Sequence, residues 1–202
     1  MPKIFIYDAG KIIKKKTFNV SDDYTYKEQL EYFIRQNVKN PRSEEIKDIL
    51  NIFHKKSYKK GEYFKQYHQV FDQIGFIVEG IARHYFIKDN GNDITGRIII
   101  KNNFISDSMS LRTRRNAPIS IVFLQPTSIL VTTYEEFSDL LEVNLTLNIF
   151  IREYIMDNLV EMEKMRMLFL TGSAKDRYKF ILENRPDLLN NIPLRFIASM
   201  IG

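Results

Sequence analysis

Apolar positions change their spacing along this chain, and each change marks a new element. Leu30, Phe33, Ile34 and Val38, then Ile46, Ile49, Leu50 and Phe53, recur three and four residues apart. That spacing predicts two amphipathic helices between Tyr26 and Phe53, separated by Asn40-Pro41. From Ser57 to about Leu130 the texture becomes short β-rich runs, at 62–67, 74–79, 81–87, 94–100, 119–124 and 128–133, broken by Gly, Asn, Asp and Pro. An antiparallel roll is expected there, with Asp89-Asn90-Gly91-Asn92-Asp93 as a hairpin turn. Ahead of it, Ile4 to Tyr7, Ile12-Ile13 and Phe18 predict a small hairpin turned at Gly10. Behind it, Phe137, Leu140 and Leu141 share a helix face, and Glu135, Glu136 and Asp139 suit the positive end of that helix.

Asn144 to Thr171 contains neither Gly nor Pro and predicts one helix of about 28 residues, roughly 42 Å long at 1.5 Å per residue. Ile151, Ile155, Asn158, Met162, Met165 and Phe169 follow a 4-3-4-3-4 spacing, the heptad period that keeps a seam turned toward a parallel partner. These six residues are the candidate dimer interface, with Asn158 as a polar residue able to fix register across it. Leu147, Phe150, Tyr154, Leu159 and Leu168 form a second apolar face for the roll. The competing reading packs the heptad residues on their own roll and leaves Asn158 exposed. Gly172-Ser173 then ends this helix and starts another, with Ser173 as N-cap, Asp176 three residues on, and Tyr178, Ile181 and Leu182 inside. After a turn at Pro186-Asp187-Leu188-Leu189, Pro193 opens a last helix whose Leu194, Ile197, Ala198 and Ile201 share one face, closed by Gly202.

Composition narrows the class. With 202 residues and 44% hydrophobic content the chain can build a sizeable core, as one large domain or two small ones. No run approaches eighteen apolar residues and the N-terminus lacks a signal-peptide pattern, so a soluble cytoplasmic protein is expected, with no membrane partner. The absence of cysteine excludes disulfides, thiolate zinc sites and cysteine-ligated iron–sulfur clusters. His54, His68 and His84 are scattered without metal-ligand spacing, and there is no phosphate loop, dinucleotide turn or nucleophile elbow. No catalytic residue, metal or cofactor is therefore expected. The net charge of +5 is uneven: six lysines face three aspartates in residues 1–27, and five Lys/Arg face three Asp/Glu in 173–202. A basic C-terminal unit suits phosphate contacts, although a solvated helix face has the same composition.

Three short motifs carry a resemblance to the Crp/Fnr-type bacterial transcription regulators. Lys60-Gly61-Glu62-Tyr63-Phe64 resembles the opening of that family's β-roll, Phe76-Ile77-Val78-Glu79-Gly80 its strand-plus-glycine signature, and Ile192-Pro193 with Ile197-Ala198 and Gly202 the first helix of its helix-turn-helix. The resemblance implies an α+β fold: an antiparallel β-roll of the cyclic-nucleotide-binding-like jelly-roll type with flanking helices, a long dimerisation helix and an incomplete winged helix-turn-helix. The implied division is an N-terminal extension at 1–27, the roll at 28–143, the dimerisation helix at 144–172 and the DNA-binding unit at 173–202. The base-reading second helix of that motif would follow Gly202, so this stretch is expected to offer only positioning contacts to phosphate, from Arg195 and Ser199.

The resemblance also locates an effector pocket. Phe104-Ile105-Ser106-Asp107-Ser108-Met109-Ser110-Leu111 aligns with the family's phosphate cassette, but Ser106 stands for its Gly and Asp107 for its Glu. Its phosphate-pairing Arg would fall near Ala117-Pro118-Ile119-Ser120, where no Arg occurs. Losing a charge-assisted partner of that kind costs several kcal/mol, so cyclic AMP is not the expected ligand. Asp107, Ser108, Arg112, Arg114, Arg115 and Ser120 are the candidate effector contacts, with the three arginines as an alternative anion grip or a solvated loop, and the serines and Asp107 as helix caps. The implied function is DNA-binding transcription regulation by a homodimer under an unknown small-molecule effector. The alternative is a sensor or dimerisation module that reads no DNA.

Overall fold

The computed structural model describes residues 3–8, 11–17 and 26–202. Strands β1 (Lys3–Asp8) and β2 (Lys11–Thr17) pair antiparallel, which gives the expected N-terminal hairpin; Gly10 and Phe18 lie outside the described residues. Helices α1 (Tyr26–Asn37) and α2 (Ser43–Asn51) follow, broken at Asn40-Pro41 as the sequence predicts. Next comes a strand the periodicity missed. β3 (His54–Tyr58) is exposed along most of its length, so it has no apolar alternation to betray it, and His54 opens this strand directly after Phe53.

The roll contains β4 (Tyr63–Lys65), β5 (Gln73–Glu79), β6 (Ile81–Ile87), β7 (Asp93–Ile100), β8 (Phe104–Ile105), β9 (Ile119–Phe123) and β10 (Thr127–Thr133), with helix α3 (Ser108–Thr113) before β9. They form two antiparallel sheets, in the orders β3-β10-β5-β8 and β4-β9-β6-β7. Side chains on alternate strand positions divide the core between the layers. Ile77, Ile105 and Ile129 of the first sheet meet Ala82, Ile99, Ile121 and Phe123 of the second inside the roll. Phe76, Val78 and Leu130 point the other way, under the helices. Ile81 and Ile98 leave the outer face of the second sheet for a third cluster made with the C-terminal helices.

Gly80 joins β5 to β6 at a φ of +112°, and a Cβ there would lie 2.7 Å from the Thr127 backbone Cα. Neither the dihedral nor the space tolerates a side chain. Gly80→Ala is expected to destabilise the roll by about 2–4 kcal/mol, read as a lower urea midpoint at unchanged slope.

Helix α4 (Tyr134–Val143) starts at a reciprocal cap between Thr133 and Glu136. The long helix α5 (Leu145–Thr171) is set by Asn144, whose side chain accepts from the Leu147 N–H and donates to the Glu45 carbonyl. Glu45 also accepts from the Thr146 hydroxyl and N–H, and that hydroxyl holds the Glu45 carboxyl below the usual range. Thus α2 fixes the root of α5. Helix α6 (Ala174–Asn184) has the expected Ser173–Asp176 capping box. The stretch read as a turn at Pro186 is a short helix, α7 (Pro186–Asn191), for which Pro186 supplies a compatible first-turn residue. Helix α8 (Leu194–Ile201) closes the unit, and Arg177 donates to the carbonyls of Gly172, Ile201 and Gly202, tying the ends of α5 and α8 together. Among the described residues, no helix is long and apolar enough to cross a membrane.

Candidate effector pocket and C-terminal helical unit

The cassette residue Asp107 is buried, and its carboxylate is already engaged within the chain. Oδ1 caps α3 by accepting from the Ser110 N–H at 3.0 Å, while Oδ2 lies 3.1 Å from Lys65 Nζ. Lys65, on β4, is 1% exposed and donates to the carbonyls of Ala117 and Ile119, both at 3.0 Å. Oδ2 makes no hydrogen bond, so the adjacent lysine charge is what compensates it. No motif marks Lys65 in the sequence; its one signal there is a lysine beside Phe64 in a short β-run.

The neighbouring serines are committed in the same way. Ser120 Oγ accepts from the Tyr67 N–H at 3.0 Å, and Ser110 Oγ from the Phe71 N–H at 2.7 Å. Ser108 is exposed at the start of α3. Arg112, Arg114 and Arg115 all face solvent, and the Arg114 guanidinium rests 5.0 Å from the Tyr134 ring centre. The structure therefore brings Asp107 and Ser120 into the roll without leaving either free, and places the three arginines outside it. The interior is also tight: a Cβ on Gly75 would come within 2.8 Å of Ile105.

His84, on β6, sits beside this ion pair, with its Nδ1 buried and without a hydrogen-bond partner. Burial pushes its pKa down from 6.5 to about 4; Asp107 opposes the shift, and the charges of Arg97 and Lys65 reinforce it. The unfolded chain thus takes up this proton at a higher pH than the folded protein. Stability from the neutral imidazole is fully present above about pH 6.5 and is lost as the pH falls toward 4, a loss of at most about 3 kcal/mol. Urea unfolding across that window should show the decline in the wild type and a flatter profile in His84→Gln.

Along α5 the structure divides the heptad residues. Ile151, Asn158 and Met165 turn toward the protein's own core, whereas Ile155, Met162 and Phe169 are 57%, 65% and 45% exposed. Asn158 accepts from Arg97 of β7 and donates to the Tyr154 carbonyl, so its polar atoms are used within the chain. Leu159, expected on the inner face, is exposed instead. The unpartnered apolar seam is consequently Ile155, Leu159, Met162 and Phe169, rotated by one position from the expected one at its second step, with Met156, Val160 and Met167 along its flank. Arg97 and Tyr154, whose hydroxyl accepts from the Phe104 N–H, orient the inner face.

The C-terminal helices do not stand apart from the roll. Ile181, Leu188, Ile192, Ile197 and Ile201 share a core with Ile81 and Ile98. Ser199 Oγ accepts from the Thr95 N–H at 3.0 Å, and Arg195 is exposed beside the Phe196 ring at 4.8 Å. Ser199, expected at phosphate, is thereby held by the roll in this arrangement.

No family model and no curated protein matches the sequence. Solved structures do match. The catabolite activator protein of Thermus thermophilus is 18% identical over 80% of this chain and 77% of its own, with a TM-score of 0.54. FixK2 of Bradyrhizobium japonicum is 16% identical over 75% of this chain and 78% of its own, with a TM-score of 0.63. The c-di-GMP-responsive global regulator CLP of Xanthomonas campestris is 10% identical over 71% and 72%, with a TM-score of 0.57. Two facing antiparallel sheets, a long helix rooted on their helical cap and a trailing helical unit together give this chain a cyclic-nucleotide-binding-like fold, the one these solved structures share.

Proposed function

We propose that the protein is a DNA-binding transcription regulator of the Crp/Fnr kind, working as a homodimer in a bacterial cytoplasm and controlled by an effector other than cyclic AMP. The observation that carries this reading is the chain order: a two-sheet roll, then α5 with an uncovered apolar seam, then a compact helical unit ending in α8. Three working units, 28–143, 144–172 and 173–202, follow from that order. Two copies joined along Ile155, Leu159, Met162 and Phe169 would present two C-terminal units to half-sites about one helical turn, roughly 34 Å, apart. Against cyclic AMP stands the Lys65–Asp107 pair, which fills the cassette with a lysine-compensated carboxylate where a ligand anion would have to enter. An effector shift of α5 packing would re-aim the two units. Asp107 and Ser120, reached only if the cassette opens, and Ser108, Arg112, Arg114 and Arg115, which already face solvent, remain the proposed effector contacts. Arg195 is the proposed phosphate contact on α8.

Selection of random-sequence duplex DNA by the protein expressed from its complete reading frame tests this. Enrichment of an inverted repeat is expected, and recovery of unenriched sequence would contradict it. A sensor or dimerisation module without DNA reading is the second possibility, favoured by the engagement of Ser199 with Thr95.

A further inference from the structure

We propose that Arg83, Phe196 and Ser199 form a latch that holds the C-terminal helices against the open edge of the roll and withholds them from DNA; the inhibitory role rests on the DNA-binding reading above. β7 is one of the two edge strands of its sheet, and an uncovered edge leaves backbone donors without partners. Ser199 Oγ takes one of them, the Thr95 N–H. On the adjacent strand, Arg83 is 3% exposed and lies between two rings, 4.7 Å from the centre of Tyr85 on the roll and 4.2 Å from that of Phe196 on α8. Its Nε donates to Thr95 Oγ1 at 2.8 Å, and both terminal nitrogens donate to the Asp93 carboxylate.

The division of these contacts is what makes the arrangement releasable. Every polar partner of Arg83 belongs to the roll, so departure of α8 strips one aromatic face from the guanidinium and strands no buried charge. Contacts on the α8 side are one ring, one hydroxyl, the charge of Arg195 and the apolar cluster beneath them. A solvent-open cleft of about 430 Å³, lined by Arg83, Asp93, Arg195, Phe196 and Ser199, borders the junction, so water reaches its polar part. While the latch is closed, Arg195 lies beside Asp93, whose negative charge competes with phosphate.

Hydrogen exchange and DNA affinity, measured on the full protein and on Phe196→Ala and Ser199→Ala, test the latch. Phe196→Ala is expected to speed exchange of the Thr95 amide about tenfold, leave the Ile77 and Ile129 amides protected, and raise DNA affinity several-fold. Ser199→Ala removes a single hydroxyl, keeps the apolar cluster and should act in the same direction with smaller amplitude, which covers the case of a misfolded Phe196 variant. Unchanged Thr95 exchange in both variants would overturn the latch. Faster exchange with unchanged DNA affinity would overturn its inhibitory role. Faster exchange in a protein that binds no duplex at all would instead sink the DNA-binding reading, and the inhibitory role with it.

Discussion

Lys65→Met will be less stable than the wild-type protein by about 3–5 kcal/mol, because it leaves the Asp107 carboxylate buried without its compensating charge. Oδ2 has no hydrogen bond to fall back on, and the Ala117 and Ile119 carbonyls each lose the hydrogen bond from Lys65 in the same step. The double variant Lys65→Met with Asp107→Asn should recover much of the loss. Asparagine keeps an oxygen to cap α3, while the uncompensated charge is gone. Urea unfolding of the four members of the cycle measures the coupling directly. A Lys65→Met protein within about 1 kcal/mol of the wild type would show that the pair is solvated rather than interior.

Ile155→Glu combined with Met162→Glu will weaken self-association by about 30- to 1000-fold, equivalent to about 2–4 kcal/mol. Both side chains are more than half exposed in the single chain, so nothing in its own core depends on them and helicity should be unchanged. Two glutamates on the seam would face their own copies across a symmetric interface. Sedimentation equilibrium reads the result as a fall in mass at constant circular dichroism. The control Asn158→Ala should leave association nearly intact, since that side chain faces Arg97.

What was legible in the sequence was whatever depends on local spacing. The two helices before the roll, most of its strands, the break at Gly172 and the Ser173–Asp176 cap all follow from apolar period and capping chemistry, and the structure has them. β3 was hidden because an edge strand with exposed lysines has no alternating face. On α5, a heptad count fixes the period of a stripe but not which of two neighbouring stripes the roll will claim. Packing of Leu147 and Phe150 on the roll, with the hydrogen bond from Arg97 sixty-one residues away in sequence, goes with Asn158 turned in and Leu159 out. Asp107 as a helix cap was readable from its position before Ser108, whereas its pairing with Lys65 required the register of β4 against β9. The arginine cluster at 112–115 is conspicuous in sequence and solvent-facing in the structure.

A dimerising helix and a DNA-reading head, the two units of the proposed regulator, are tested together most directly by the stoichiometry of the protein–DNA complex. Mass photometry or sedimentation velocity on a selected inverted-repeat duplex should give two protein chains per duplex, with cooperative loss of both when the Ile155→Glu, Met162→Glu variant is used. One chain per duplex at saturation, or no complex with any selected duplex, would contradict the account.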